Sequence, residues 1–196
     1  MVGSRTMKTL GALVVAMTVG SGALILMETA PIRPPVTRLS AVSTPTDEFS
    51  EAISSTDELI KVAKWRNLVI HTTAEGLDPY RDCHFVIEPT NGGDGTCIRP
   101  TALWNRQANG SHVSAPGHDW NLDSIGICLV GDFSTAAPTQ RQLQALVGLV
   151  RSLQQTCGIT AERVYLARDI DPRTGSPGAA FPATSFNASL LRPRAF

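Results

Sequence analysis

The sequence predicts an α/β domain whose mixed central sheet has about five strands and is flanked by helices. Short apolar runs of strand length come before and after one long amphipathic helical pattern. One of these runs, 124–130, is apolar on both faces, which is typical of a central strand covered on both sides. The chain has 196 residues, 42% of them hydrophobic, which is enough for one domain with a sizeable core and an N-terminal extension.

The strand pattern recurs in segments that are bounded by turn residues. These segments are 68–70, 84–87, 97–98, 124–130 and 163–170, the last centred on 164–166. A glycine-rich turn over 91–95 indicates that the second and third segments form a hairpin. Gly126, inside the fourth segment, predicts a close approach of backbone or ligand.

The strongest helix signal covers residues 140–157. Thr139 and Gln142 have the spacing of a capping box, and Pro138 precedes them. The apolar stripe of this helix consists of Leu143, Leu146, Val147, Val150, Leu153 and Cys157. Gly158 follows at the position where a glycine commonly ends a helix.

Residues 1–28 have the pattern of a signal anchor or a signal peptide. Arg5 and Lys8 precede an uncharged apolar run over 9–27, which is long enough for a membrane span. The positive charge on the short N-terminal side places the remaining chain outside the cytoplasm. Glu28 makes a poor cleavage site and so favours an uncleaved anchor. We expect an extracytoplasmic protein of the cell envelope, anchored to the membrane by this N-terminal hydrophobic helix or secreted.

The remaining chain divides into four parts by composition. They are a Pro/Ser/Thr-rich linker at 29–46, a lead-in of one or two short helices at 47–64, the domain proper at 65–185 and a tail at 186–196. Lys and Arg together number 17, and Asp and Glu together also number 17, so the formal net charge is zero. No positive surface field is therefore expected that could bind nucleic acid. The four cysteines show no metal-binding spacing. Disulfides are open to an exported chain, although Cys128 and Cys157 fall at positions typical of buried core residues.

Several motifs follow one another in a fixed order between residues 65 and 182. They are Val69-Ile70-His71-Thr72-Thr73-Ala74, His84-Phe85-Val86-Ile87, Gly110-Ser111-His112, Asn121 with the run 124–133, Arg168-Asp169, and Ser176-Pro177-Gly178 with Phe181-Pro182. In this order they resemble the zinc-dependent N-acetylmuramoyl-L-alanine amidases of the peptidoglycan recognition protein type. The resemblance implies an amidase-like fold and peptidoglycan or a muropeptide as the partner.

The same resemblance implies a zinc ion held by two histidines and a cysteine, with an activated water in the open fourth position. His71 matches the first ligand. The second ligand would precede Arg168 and the third would precede Pro177, but this chain has Ala167 and Ser176 there. A methyl group donates nothing and a neutral hydroxyl is a poor zinc ligand. We therefore expect the zinc, and with it the family's mechanism, to be lost.

Candidates for ligand contact are residues that match the family's cleft or could stack on a ligand. They are His71, Thr72, His84, Trp104, His112, Asn121, Thr174 and Ser176. Two of these histidines have a simpler interpretation: His71 as a strand-end histidine bonded to a carbonyl, and His112, like His118, as a loop histidine near the surface. Trp104 and Trp120 either stack on sugar or peptide, or pack the long loop 100–123. Ser176 lacks a Gly-x-Ser-x-Gly elbow and is not interpreted as a nucleophile.

Cys83 replaces a tyrosine of the family and has two interpretations. It is either a thiolate near His71, in a nucleophilic pair or in a new zinc site with His112 or His84, or a small buried replacement for the aromatic ring. The connection 72–83 contains Gly76, Asp78 and Pro79 and predicts a loop, whereas the family places a helix there. That difference predicts a wider and shallower cleft.

Three functions follow from these observations. The favoured one is a catalytically inactive pseudo-amidase that binds peptidoglycan or an envelope partner. The second is an active N-acetylmuramoyl-L-alanine amidase with a metal site rebuilt from His71, Cys83 and His112. The third is a structural relic that binds neither. Whether the protein is an enzyme depends on the side chains within coordination reach of His71.

Overall fold

The computed structural model describes three ranges of the chain, residues 45–73, 78–89 and 98–192. The predicted N-terminal segment 1–28, nearly all of the linker 29–46, and the hairpin turn 91–95 with Cys97 lie outside the described residues. Within those three ranges, no helix combines the length and the apolar character that a membrane crossing needs.

The sheet is mixed and has five strands, as predicted. They are β1 (Asn67–Thr72), β2 (Phe85–Ile87), β3 (Ile98–Pro100), β4 (Ser124–Leu129) and β5 (Val164–Leu166). Their order across the sheet is β3-β2-β4-β1-β5. Neighbouring strands run parallel except β2 and β3, which are antiparallel, as the predicted hairpin requires. β1 and β4 are therefore central strands, in agreement with their continuous apolar runs.

The helices flank this sheet. They are α1 (Pro45–Ser54), α2 (Pro79–Asp82), α3 (Ala102–Asn105), α4 (Gln140–Cys157), α5 (Ala167–Ile170) and α6 (Ala183–Ala188). α4 has the predicted bounds and the predicted capping box, in which Thr139 and Gln142 exchange side-chain-to-backbone hydrogen bonds of 3.2 Å each. Gly158 ends α4 in the left-handed conformation, with φ of 68°.

Three segments differ from the sequence-based expectation. The connection 72–83 contains the one-turn helix α2, because Asp78 accepts a hydrogen bond from the Tyr80 N–H and Pro79 fixes the first helical φ. The strand predicted over 163–170 ends at Leu166, whose N–H donates to the Asp169 carboxylate and so opens α5.

The third difference concerns the ends of the domain. α1 begins at Pro45, inside the predicted linker, and is the one helix of the 47–64 lead-in. At the other end the packed structure continues past residue 185, where the sequence predicts the tail to start. Phe186 and Leu190 are both buried in the hydrophobic core.

The two faces of the sheet are covered differently. One face packs in the hydrophobic core with α1 and α4, and its side chains include Leu68, Ile70, Ile125, Ile127 and Leu129. Because strand side chains alternate, the opposite face carries the residues between these. They are Val69 and His71 of β1 with Ser124, Gly126 and Cys128 of β4, and we call this side the site face.

Candidate functional site

The end of β1 brings His71 next to Ala167. β1 and β5 are parallel, and their register pairs Ile70 with Leu166. His71 follows Ile70 within β1, and Ala167, the first residue of α5, follows Leu166 directly after β5 ends. Both are also buried, with exposed fractions of 2% and 0%. The first two positions that match family zinc ligands are therefore close together, although they are 96 positions apart in the sequence.

Ser176 joins the same point of the fold through two hydrogen bonds. Its Oγ accepts a hydrogen bond of 3.0 Å from the Thr72 N–H at the end of β1. Its carbonyl oxygen accepts one of 2.9 Å from the Arg168 N–H in α5. The third ligand position thus lies between the ends of β1 and β5, and its hydroxyl satisfies a buried backbone donor.

The three matched positions together supply one imidazole, one methyl group and one hydroxyl. No three His, Cys, Asp or Glu side chains in the described ranges converge so that they could hold a metal ion. The set His71, Cys83 and His112, considered as a rebuilt zinc site, is thus not assembled in this structure. Cys83 instead interacts with the Cys128 thiol.

Three histidines gather on the site face. The ring centroids of His71 and His112 lie 5.3 Å apart, and those of His84 and His112 lie 5.8 Å apart, both pairs in edge-to-face arrangement. None of the three side chains is more than 3% exposed. The His112 ring rests on Gly126, so closely that a Cβ atom at position 126 would overlap it. The close approach predicted for Gly126 is made by this imidazole.

Burial keeps these imidazoles neutral. Removal from water lowers the pKa of His84 to about 3 and that of His112 to about 4. Burial, with the neighbouring His112, lowers the pKa of His71 well below its ordinary value. The Gly126 N–H donates to Nδ1 of His84, and Nε2 of His84 donates to the Ala108 carbonyl, each over 3.0 Å. His84 is thus a fully bonded structural residue.

Other polar atoms on this face have no hydrogen-bond partner among the residues that the structure describes. They are Nε2 of His71, Nδ1 of His112 and Oγ of Ser124, and all three atoms are buried. Nε2 of His112 lies 3.4 Å from the Ser124 carbonyl, to which it donates, so Nδ1 carries the free lone pair. The site face therefore contains unused hydrogen-bonding capacity close to His71.

Three of the four cysteines fall in the described ranges, and these three are buried and unoxidised. Cys83, Cys128 and Cys157 are free thiols, and the buried positions predicted for Cys128 and Cys157 are confirmed. The hydrogen bond with Cys128, followed by burial, raises the pKa of Cys83 well above its ordinary value. Cys83 is therefore a protonated, small core residue, as in the second of its two interpretations, and not a reactive thiolate.

Several predicted ligand contacts have structural roles. Trp104 is fully buried against Phe85, with a centroid distance of 4.7 Å, and its Nε1 donates to the Ile53 carbonyl. Trp104 therefore packs in the core and has no surface available to a ligand. The Asn121 amide oxygen accepts from the N–H groups of His112 and Val113, at 3.0 and 3.1 Å, and so fixes the loop that carries His112.

The remaining candidates lie near the strand ends. The hydroxyl of Thr72 donates to the Gly131 carbonyl over 2.7 Å, and that of Thr174 donates to the Asp171 carbonyl over 3.1 Å. His118 is half-exposed and lies 3.1 Å from the Asp123 carboxylate. Sequence reasoning missed Tyr165, which contacts Trp120 on the site face. The two-residue alternation within 164–166 is the signal that could have placed it there.

Gly126 and His112 form a contact whose energetic coupling can be measured. Gly126→Ala is expected to lower the free energy of unfolding by about 1–3 kcal/mol, because its methyl group overlaps the His112 ring. In a His112→Ala background the same change is expected to be neutral or stabilising, since alanine suits a strand better than glycine. Urea unfolding of the wild type, the two single variants and the double variant gives the coupling energy between the two residues. An equal effect of Gly126→Ala in both backgrounds would contradict the contact.

A mixed sheet with a histidine at the end of a central parallel strand, and the second and third family positions beside it, defines an amidase-like α/β scaffold. The family profile of N-acetylmuramoyl-L-alanine amidases (Amidase_2) matches residues 61–179, more than half of the chain. The chain therefore belongs to the N-acetylmuramoyl-L-alanine amidase family, as the resemblance implied. No curated protein gave a significant match.

Solved structures of amidases are similar to this chain. The endolysin amidase LysCS from Clostridium intestinale is 27% identical with a TM-score of 0.52, over 69% of this chain and 90% of LysCS. LysC from the same organism is 26% identical with a TM-score of 0.52, over 69% of this chain and 92% of LysC. AmiD from E. coli, solved with the substrate anhydro-N-acetylmuramic acid-L-Ala-D-gamma-Glu-L-Lys, is 23% identical with a TM-score of 0.55, over 70% of this chain and 61% of AmiD. The AmiD likeness shows the fold alone.

Proposed function

We propose that this chain is a pseudo-amidase, which binds peptidoglycan or an envelope partner without hydrolysing the muramoyl–alanine amide. The observation that carries the proposal is the side-chain chemistry at the end of β1. His71, Ala167 and Ser176 lie together there, and one imidazole, one methyl group and one hydroxyl do not fit the zinc site of the family. A zinc ion needs at least three good donors at such a site, because a single imidazole binds it too weakly to compete with water.

The burial of the same residues supports a role other than catalysis. A catalytic zinc keeps an open position for water and substrate. Here the His71 side chain is 2% exposed, and the His112 ring lies against it on the site face. The imidazole that remains from the family's ligand set is therefore covered. Binding to the cell wall would use the surface around this point.

Membership of the amidase family supports peptidoglycan as the ligand class, since LysCS and LysC, at 27% and 26% identity, are named as N-acetylmuramoyl-L-alanine amidases. The apolar run 9–27, preceded by Arg5 and Lys8, supports a location at the outer side of the membrane. We infer that the domain is anchored to the outer side of the membrane by this segment or is secreted, and that zinc is not its cofactor.

The experiment combines sedimentation, product analysis and metal analysis. The full-length chain in mild detergent is incubated with isolated sacculi, and the released material is analysed for peptides freed from muramic acid. We expect sedimentation with the sacculi, no release of peptides and less than about a tenth of an equivalent of bound zinc. An active relative such as LysCS serves as the matched control for release.

Each alternative function predicts a different result. Release of peptides together with about one equivalent of zinc would show an enzyme with a rebuilt metal site. If the chain did not sediment with the sacculi, and no envelope protein were retained with it in a pull-down, the result would show a structural relic. Either result contradicts the pseudo-amidase proposal.

A further inference from the structure

The three tryptophans differ in their access to solvent. Trp65 and Trp104 are 2% and 0% exposed and belong to the hydrophobic core. Trp120 begins the short 3-10 turn Trp120–Leu122 and is half-buried. Trp120 is thus the tryptophan whose ring remains partly available to a ligand.

Two aromatic side chains hold the Trp120 ring in place. Tyr165 packs edge-to-face against it, with a centroid distance of 5.1 Å and an interplanar angle of 75°. His118 does the same at 4.9 Å and 90°. These contacts fix the plane of the indole before any ligand arrives, so binding would cost little conformational entropy.

The aromatic cluster of Trp120, Tyr165 and His118 reaches the face that carries the family positions through Tyr165. Tyr165 pairs with Val69 in the β1–β5 register, so it lies on the site face. Ala167 follows two residues later, which corresponds to about 7 Å along an extended chain. A ligand that spans the end of β1 would therefore meet this cluster as well.

A polar pocket adjoins the cluster. It has a volume of about 360 Å³ and is lined by residues 113–115, 117–119 and 121, so His118 belongs to both the pocket and the cluster. This volume is near the lower end of the range of about 300–1,000 Å³ that is typical of ligand pockets. The lining offers the Asp119 carboxylate and the Ser114 hydroxyl, and none of these lining residues is Lys or Arg.

We propose that Trp120, supported by Tyr165 and His118, is a subsite that stacks against an N-acetylated hexosamine ring of the glycan strand. The inference rests on the proposed function and names the part of peptidoglycan that this surface contacts. The apolar C–H face of a sugar ring suits the indole face, while its hydroxyl and acetamido groups suit polar acceptors such as Asp119. A peptide carboxylate suits the pocket less well, since it would face Asp119 without a cation.

The test uses a peptide-free oligosaccharide of N-acetylglucosamine, such as the tetramer, and the full-length chain in mild detergent. Because Trp65 and Trp104 are buried, quenching of tryptophan fluorescence by acrylamide reports mainly on Trp120. We expect the oligosaccharide to protect the fluorescence from quenching. Calorimetric titration is expected to show about a tenfold loss of affinity for Trp120→Leu and a loss within about threefold for Trp120→Phe, which keeps a ring face.

Several results would overturn the subsite. They are unchanged quenching at saturating oligosaccharide, equal affinities of the wild type and Trp120→Leu, and protection by a sugar-free stem peptide instead of the oligosaccharide. Thermal melting checks that the variants fold, and the quenching experiment needs no variant. If sacculi sediment the chain but the oligosaccharide does not bind, only the subsite fails. If, in addition, sacculi do not sediment the chain and no envelope protein is retained with it, the proposed function fails as well.

Discussion

Between pH 6.5 and pH 4 the protein is expected to lose about 6 kcal/mol of its free energy of unfolding, because two buried histidines resist protonation. In the unfolded chain their imidazoles titrate near pH 6.5, whereas burial lowers the pKa of His84 to about 3 and that of His112 to about 4. Below pH 6.5 the unfolded chain therefore binds protons that the folded protein does not. The stabilisation is fully present above pH 6.5 and is lost as the pH falls towards these two values.

The slope of stability against pH identifies the groups responsible. Each such histidine contributes about 1.4 kcal/mol per pH unit, so the expected loss is comparable with the total stability of an ordinary domain. His71, whose pKa is also lowered by burial, acts in the same direction. Urea unfolding at half-unit intervals from pH 4 to pH 8, followed by tryptophan fluorescence, measures the slope.

Matched variants separate this effect from general acid sensitivity. His112→Gln removes one buried imidazole. It is expected to reduce the slope of the free energy of unfolding between pH 5 and pH 6 by about 1.4 kcal/mol per pH unit, which corresponds to one proton. His118→Gln, which removes a half-exposed imidazole, serves as the control for the substitution itself. If the slope of His112→Gln matched that of the wild type, the buried histidines would not be the cause.

Elements with strong local signals could be predicted from the sequence. The helix α4 (Gln140–Cys157) carries its own start signal at Thr139, its stop signal at Gly158 and an apolar stripe between them, so its bounds follow from local chemistry alone. The central strands β1 and β4 follow from short apolar runs. The short helices α2 and α5 did not follow, because single carboxylates, those of Asp78 and Asp169, initiate them.

The candidate site could be predicted only in part. The ordered motifs identified His71, Ala167 and Ser176, whose proximity depends on strand register and on the hydrogen bond from Thr72 to Ser176. The burial of His84 was not predicted, and packing of Trp104 was only one of two open interpretations, because the surroundings of both residues are made by distant segments. Sequence spacing likewise gives no sign that the His112 ring lies on Gly126, a contact that spans a loop and a strand.

Restoring the family's donors is expected to create a zinc site. The double variant Ala167→His/Ser176→Cys is expected to bind about one equivalent of zinc, whereas the wild type binds less than about a tenth. His71 already offers a buried nitrogen, Nε2, that has no hydrogen-bond partner within the described part of the chain. The two new donors would project from the neighbouring strand end and from the residue bonded to Thr72. Two imidazoles and a thiolate are a normal ligand set for zinc.

Metal analysis after dialysis and thermal melting with added zinc measure the result. Zinc is expected to raise the melting temperature of the double variant and not that of the wild type, since a ligand that binds only the folded state stabilises it. Crowding by the histidine at position 167 costs about 1–3 kcal/mol, which metal binding exceeds. The triple variant that also carries His71→Ala is the control and is expected to lose the zinc. A folded double variant that stays metal-free would contradict the convergence of these positions, and a wild type that holds one equivalent through His71 would contradict the pseudo-amidase proposal.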